Sequence, residues 1–283
     1  MAEDRVHDGA EQDKKEVVTA ASIRQDLLEE QAALDAIMAS LDDSAWDLQT
    51  PSPGWTVRDQ IGHLAYFDNT AALAIASPER FVAARNQLVA ALDDASRADD
   101  LTLGTTRAMS PDQLLDHWRQ CRQRLADASD GLSDDTRVEW YGPSMGSKSF
   151  LTARLMECWA HGQDIIDTVG LSREATDRLA HIAQLGFITR KWTYMNRGLD
   201  IPPGEVRVEL TSPSGRRWSF GPAEDTADST VTGTALDFCL VTSQRRNIDD
   251  TDLQIDGELG RDWLEKAQLF AGPPSDPPPP RYN

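Results

Sequence analysis

The stretch SFLTARLMECWAHGQDIIDTV, running from Ser149 to Val169, decides how this chain folds. Its apolar residues recur at helical spacing, and Gly170 follows as a good closing residue for a helix. On an ideal helix Leu151, Leu155, Trp159, Ile166 and Val169 share one side, while Met156, Ala160 and Ala153 fill much of the space between. A helix apolar around most of its circumference is enclosed by other elements. Glu157 and His161 stand four residues apart and project within about 40° of each other, with Asp164 and Thr168 alongside. One reading of this line is an exposed polar face carrying a Glu–His pair. The other is a buried polar line whose partner is a divalent cation.

Working outward, the segments before it are also helical. Ile23, Leu27, Leu34, Ile37 and Leu41 form one stripe. After the turn Pro51-Ser52-Pro53-Gly54, Thr56 and Asp59 have capping-box spacing and open a helix lined by Val57, Ile61, Leu64, Ala71 and Ile75. Ser77-Pro78-Glu79 starts a segment with Phe81, Leu88 and Leu92, and Ser110-Pro111-Asp112-Gln113 combines an N-cap, Pro at N1 and Gln at N3. Another helix is predicted from about Arg173 to Arg197, stopped by Gly198 and Pro202-Pro203. Beyond it the texture changes to short β-branched runs. Strands are expected at Glu205–Leu210, Arg217–Phe220, Ser229–Thr232 and Leu253–Ile255, with helices at Ala235–Thr242 and Glu258–Phe270. The fold class is therefore α+β, an antiparallel helix bundle over residues 17–199 followed by a small α+β domain over 200–270. Residues 1–16 read as a solvated tail, and 271–283, with six prolines, as an extended strap or tail.

With 47 acidic and 28 basic side chains, the formal charge of −19 argues against nucleic acid and against an anionic membrane surface. Eight tryptophans supply core anchors that a disordered acidic chain would lack. Cys121, Cys158 and Cys239 stand far apart, as reduced thiols do. The charged N-terminus is no secretory signal, and no run approaches the roughly 20 apolar residues of a membrane span, so a cytoplasmic protein is expected.

Of the five histidines, His7 lies in the tail, and His117 and His181 lack neighbouring ligand types and read as structural. His63, beside Leu64 at the border of its stripe, is by itself either a packed histidine or a ligand. Joined with Glu157 and His161 it would make a two-His, one-carboxylate set on facing helices, the way bundles build metal sites. Three protein ligands leave a position open, as in catalytic zinc sites. Asp59 and Asp164 are candidates for orienting an imidazole through its other nitrogen.

Pro53-Gly54-Trp55-Thr56-Val57-Arg58-Asp59 followed by His63-Leu64 resembles the metal-binding helix of mycothiol-dependent maleylpyruvate isomerases, within the wider superfamily of DinB-like metal-binding bundles. Trp140-Tyr141-Gly142-Pro143 and Met156 to Asp164 resemble the second ligand-bearing helix of a bacterial subgroup of that superfamily. The resemblance spans nearly the whole chain. It implies a DinB-like four-helix bundle with a small C-terminal α/β domain, and His63, Glu157 and His161 as ligands of a divalent metal, usually zinc. It also implies a low-molecular-weight thiol, mycothiol, as cofactor or cosubstrate in S-transfer or thiol-assisted isomerisation of a small electrophile. In that chemistry the metal-bound thiol becomes thiolate at neutral pH and attacks an electrophilic carbon. An arginine would hold the substrate carboxylate, with Arg245, Arg246 and Arg154 as candidates. For Arg245 and Arg246 the competing reading is a surface pair near Asp249 and Asp250.

Other readings compete. A non-catalytic metal-binding module and a metal-dependent hydrolase both fit the same three ligands. The run Gly142 to Ser149 nearly matches a P-loop, but Ser147 replaces the glycine that wraps phosphate, and the loop could instead line the mouth of the site. Cys158 turns about 100° from Glu157 and reads as a buried thiol rather than a nucleophile. No H-E-x-x-H occurs. The expected partners are a small molecule and a thiol, with a homodimer as a further possibility.

Overall fold

A computed structural model describes residues 18–91 and 93–281. The expected N-terminal tail and the stripe residue Leu92 lie outside the described residues. The first half is helical: α1 (Ala20–Met38), α2 (Val57–Ala76), α3 (Pro78–Val89), α4 (Ala95–Arg107), α5 (Pro111–Ala128) and α6 (Ser147–Val169). A two-stranded ribbon, β1 (Arg137–Val138) and β2 (Met145–Gly146), leads into α6. Then come α7 (Leu179–Ile188) and α8 (Arg190–Asn196), followed by β3 (Val206–Thr211), β4 (Arg217–Phe220), β5 (Ser229–Thr234), α9 (Ala235–Thr242), β6 (Gln254–Asp256) and α10 (Glu258–Leu264). These strands form one sheet in the order β4-β3-β5-β6, parallel between β3 and β5 and antiparallel elsewhere. The molecule is α+β, helices first and a small sheet after.

Local signals explain the clearest helix starts. Thr56 and Asp59 form a reciprocal capping box at α2, and Ser110 and Gln113 form another at α5 with Pro111 inside the first turn. Gly170 ends α6 in the left-handed conformation. Helices α1, α2, α5 and α6 meet at a single carboxylate. Asp68 of α2 accepts from Gln31 Nε2 of α1 (3.1 Å), Trp118 Nε1 of α5 (3.1 Å) and Arg154 Nη2 of α6 (3.0 Å). All four side chains are buried, so this cluster ties the four helices from inside.

Helix α6 lies between two hydrophobic clusters, which accounts for its nearly all-round apolar surface. Cys158 and Ile165 join Leu34, Trp46, Ile61 and Trp118 on one side. Leu151, Leu155 and Trp159 belong to the larger cluster, which continues through Ile182 and Tyr194 to Val208, Val231, Phe238 and Trp263 of the sheet region.

Three elements differ from expectation. The single helix expected over about 173–197 starts late and is broken once. It begins only at Leu179: residues 171–176 lack regular structure, and Arg173 and Arg178 bracket the buried Glu30, each at 2.9 Å. At the break Thr189 Oγ1 donates back to the Leu185 carbonyl (2.8 Å), a contact that bends helices. The last helix stops at Leu264 because the following backbone pairs elsewhere, Leu269 N–H with the Thr242 carbonyl at 3.0 Å. Helix α4 had no readable stripe; it is capped by Asp94 and anchored by the buried Leu103 and Thr106. The proline-rich end is a strap: Asn247 and Gln244 donate to the Pro278 and Ser275 carbonyls, and Arg281 reaches Asp167.

Candidate metal centre

Helices α2 and α6 pack side by side and bring His63, Glu157 and His161 together. One ligand-type atom from each lies within 4.8 Å of the other two. Both imidazoles direct Nε2 at the same carboxylate oxygen, Glu157 Oε2, His161 from 3.1 Å and His63 from 3.3 Å. The side chains are mostly enclosed yet reach the surface, at 18 % (His63), 25 % (Glu157) and 12 % (His161) exposure.

The electrostatics of the trio favour a cation. Burial holds His63 down at about 4, helped by the nearby His161 and Arg154. Burial pushes the Glu157 carboxyl up, but hydrogen bonds from His161 and His63 outweigh it and hold the group well below the usual carboxylate range. At neutral pH the trio therefore offers an ionised carboxylate beside a neutral His63. Imidazole nitrogen with carboxylate oxygen is a donor set that suits zinc and other borderline divalent cations.

Aromatic rings wall the site. Trp55, just before the α2 cap, lies 5.0 Å from the His63 ring and stacks on His161 at 5.9 Å, centroid to centroid. Phe67, one turn after His63, sits 4.6 Å from it and continues the wall toward Tyr141 and Trp140. The 142–149 loop thus meets the site's surroundings through the aromatic pair preceding it. Gly146 has an ordinary negative φ, and β2 pairs with β1, so this is no phosphate-wrapping turn.

The expected supporting residues fall out differently. Asp59 does not orient a histidine. It caps α2 and pairs with Arg107 at 2.7 Å. Asp164 approaches His161 Nδ1 only to 3.9 Å. The residue that does meet Nδ1 is Gln60, whose Oε1 lies 2.5 Å away. Sequence reading missed it, although Gln60 sits three residues before His63 on the same helix face.

None of the three arginines stands as an open carboxylate anchor. Arg154 is buried against Asp68. Arg245 grips Asp164 through Nε (3.2 Å) and Nη2 (2.8 Å), with Nη1 on the Ser243 carbonyl. Arg246 grips Asp167 through both terminal nitrogens, at 2.5 and 2.7 Å. Each bidentate edge is already filled, and for the tandem pair by acids of α6 rather than by Asp249 and Asp250. The remaining candidates stand apart from the trio. Burial raises the thiols of Cys158 and Cys239, and that of Cys121 to about 11. His181 pairs with Asp26 at 2.6 Å, and His117 lies 3.6 Å from the Cys121 sulfur. Among the described residues no helix is long and apolar enough to cross a membrane.

Comparison with known proteins supplies the lineage. The family model of the mycothiol maleylpyruvate isomerase N-terminal domain matches residues 27–166, which include the whole trio. Two uncharacterized proteins of Mycobacterium tuberculosis, from strains CDC 1551 and H37Rv, are each 42% identical over 249 residues, 88% of this chain and 95% of theirs. Two solved structures, mycothiol-dependent maleylpyruvate isomerase and a histidine-to-alanine mutant of it, share the fold at 19% identity and a TM-score of 0.54. Each comparison covers 85% of this chain and 95% of the solved one. This chain belongs to the superfamily of mycothiol-dependent maleylpyruvate isomerase-like proteins.

Proposed function

We propose that the chain is a divalent-metal enzyme, with zinc as the cation, that uses mycothiol in thiol-assisted isomerisation or S-transfer on a small electrophile. The observation that carries the reading is the convergence of His63, Glu157 and His161 within 4.8 Å, each still partly exposed. His63 and His161 would hold the cation through Nε2 and Glu157 through a carboxylate oxygen. A cation held there supplies a lowered thiol pKa, so that thiolate is available at neutral pH. The chain's own side chains do the rest. Trp55 and Phe67 shield the imidazoles from water, which strengthens every charge interaction at the site. The raised thiols of Cys121, Cys158 and Cys239 leave no cysteine thiolate of the chain to compete with the external one at neutral pH.

The test is calorimetric titration with zinc, followed by mycothiol, on the native chain and on His63→Ala and Glu157→Gln. The native chain is expected to bind one zinc and then the thiol, and both variants to lose zinc. Undiminished zinc binding in both variants would remove the ligand assignment. Zinc binding without mycothiol binding at millimolar concentration would favour water as the activated group, and with it hydrolysis.

A further inference from the structure

A histidine can present Nε2 to a cation only if its proton sits on Nδ1, so whatever meets Nδ1 decides whether the ligand is ready. At His161 that partner is the fully buried Gln60, and its orientation follows from a chain of hydrogen bonds. The Thr50 hydroxyl donates to the Trp55 carbonyl (2.8 Å). With its proton committed there, the Thr50 oxygen can only accept, and it does so from Gln60 Nε2 at 2.9 Å. The Gln60 amide is thereby turned with its oxygen toward the imidazole. Oε1 is the acceptor waiting for the Nδ1 proton, so Nε2 is the nitrogen that can exchange its contact with Glu157 Oε2 for a cation. Asp164 cannot substitute, because it lies 3.9 Å from Nδ1 and its oxygens already take Arg245 and Ser52.

We propose that Gln60 is a positioning residue that fixes His161 as its Nδ1–H tautomer, through the relay Trp55 carbonyl, Thr50 hydroxyl, Gln60 amide. The inference rests on the reading of His161 as a cation ligand. It also gives the 50–55 turn a role, since that turn both carries Trp55 over the ring and sets the amide that orients it.

Two-bond 1H–15N correlation spectra of the zinc-loaded protein at pH 8 read which His161 nitrogen holds the proton, and zinc titration reads the consequence for affinity. Native protein and Gln60→Glu, which retains an acceptor, are expected to show a proton on Nδ1 and none on Nε2 at His161. Gln60→Leu should lose that preference and bind zinc about 10- to 100-fold more weakly. A leucine at this buried position can cost the fold, so Thr50→Val gives a second arm. It frees the amide to flip and should yield a mixture of tautomers. An Nε2–H tautomer in the native protein overturns the proposal, as does an unchanged tautomer in both Gln60→Leu and Thr50→Val. A changed tautomer in Gln60→Leu with unchanged zinc affinity also overturns it, provided His63→Ala loses zinc. If His63→Ala retains zinc too, the ligand reading has failed, and the His161 spectra of the native protein and Gln60→Leu alone then decide the role of Gln60.

Discussion

Replacing Asp68 with leucine tests whether the four helices are held by one buried charge. Asp68 and Arg154 are 2 % and 3 % exposed, and the Trp118 and Gln31 donors depend on the same carboxylate. Removing one member of a buried ion pair costs about 3–5 kcal/mol, because the other charge is left without compensation. Each orphaned neutral donor adds about 1–3 kcal/mol, less than additively since all share one acceptor. A total near 5 kcal/mol would consume most of the stability of a typical domain. The informative comparison is the double variant Asp68→Leu with Arg154→Met. Removing both charges should recover about 2–4 kcal/mol of the single-variant loss, leaving only the Trp118 and Gln31 donors unsatisfied. Urea unfolding followed by tryptophan fluorescence measures all four corners of the cycle. A coupling within about 0.5 kcal/mol of zero would refute the claim that these groups act as a unit. The same double variant should keep its zinc affinity, since Arg154 serves here as a brace between helices; a large loss of zinc with the fold intact would contradict that assignment.

Two further outcomes follow from the geometry. In the metal-free protein an NMR titration should place His63 at about 4, whereas an unfolded histidine titrates near 6.5. The unfolded chain then takes up the proton first, so stability should decline as pH falls from about 6.5 toward 4, by about 3 kcal/mol in full; a midpoint near 6.5 would contradict it. Gly62→Ala should destabilise the α2–α4 contact by about 1–3 kcal/mol, because a Cβ there would meet Thr106 Oγ1 at 2.5 Å. Thr106→Ala should recover part of that loss in a thermal melt, and an unchanged Tm in Gly62→Ala alone would show that the helices part freely.

Local chemistry was readable from the sequence, and long-range pairing was not. The caps of α2 and α5 and the stop at Gly170 are set by residues within four positions of each other, so their signals survive in one dimension. Helix α4 is held by one leucine and a threonine against Gly62, too few apolar residues to make a stripe. The Glu157–His161 pair is written in its spacing, while His63 could be joined to it only through family resemblance. Gln60 depends on a threonine ten residues earlier in the chain and a histidine 101 residues later, a relation no periodicity encodes. The tandem arginines carried a usable hint that went unread. Asp164 and Asp167 stand three apart on one helix face, the spacing that lets adjacent guanidinium groups each find a carboxylate.

Those two clasps restrict how the chain can be recombined. The stretch after α9 supplies both guanidinium groups, and the helix bearing Glu157 and His161 supplies both acids, one of them almost wholly enclosed. A chimera grafting another superfamily member's sheet region onto these helices must import an Arg-Arg tandem at the same place. Without it, Asp164 would be stranded one turn from His161, and a fault at the seam would surface as a misplaced ligand.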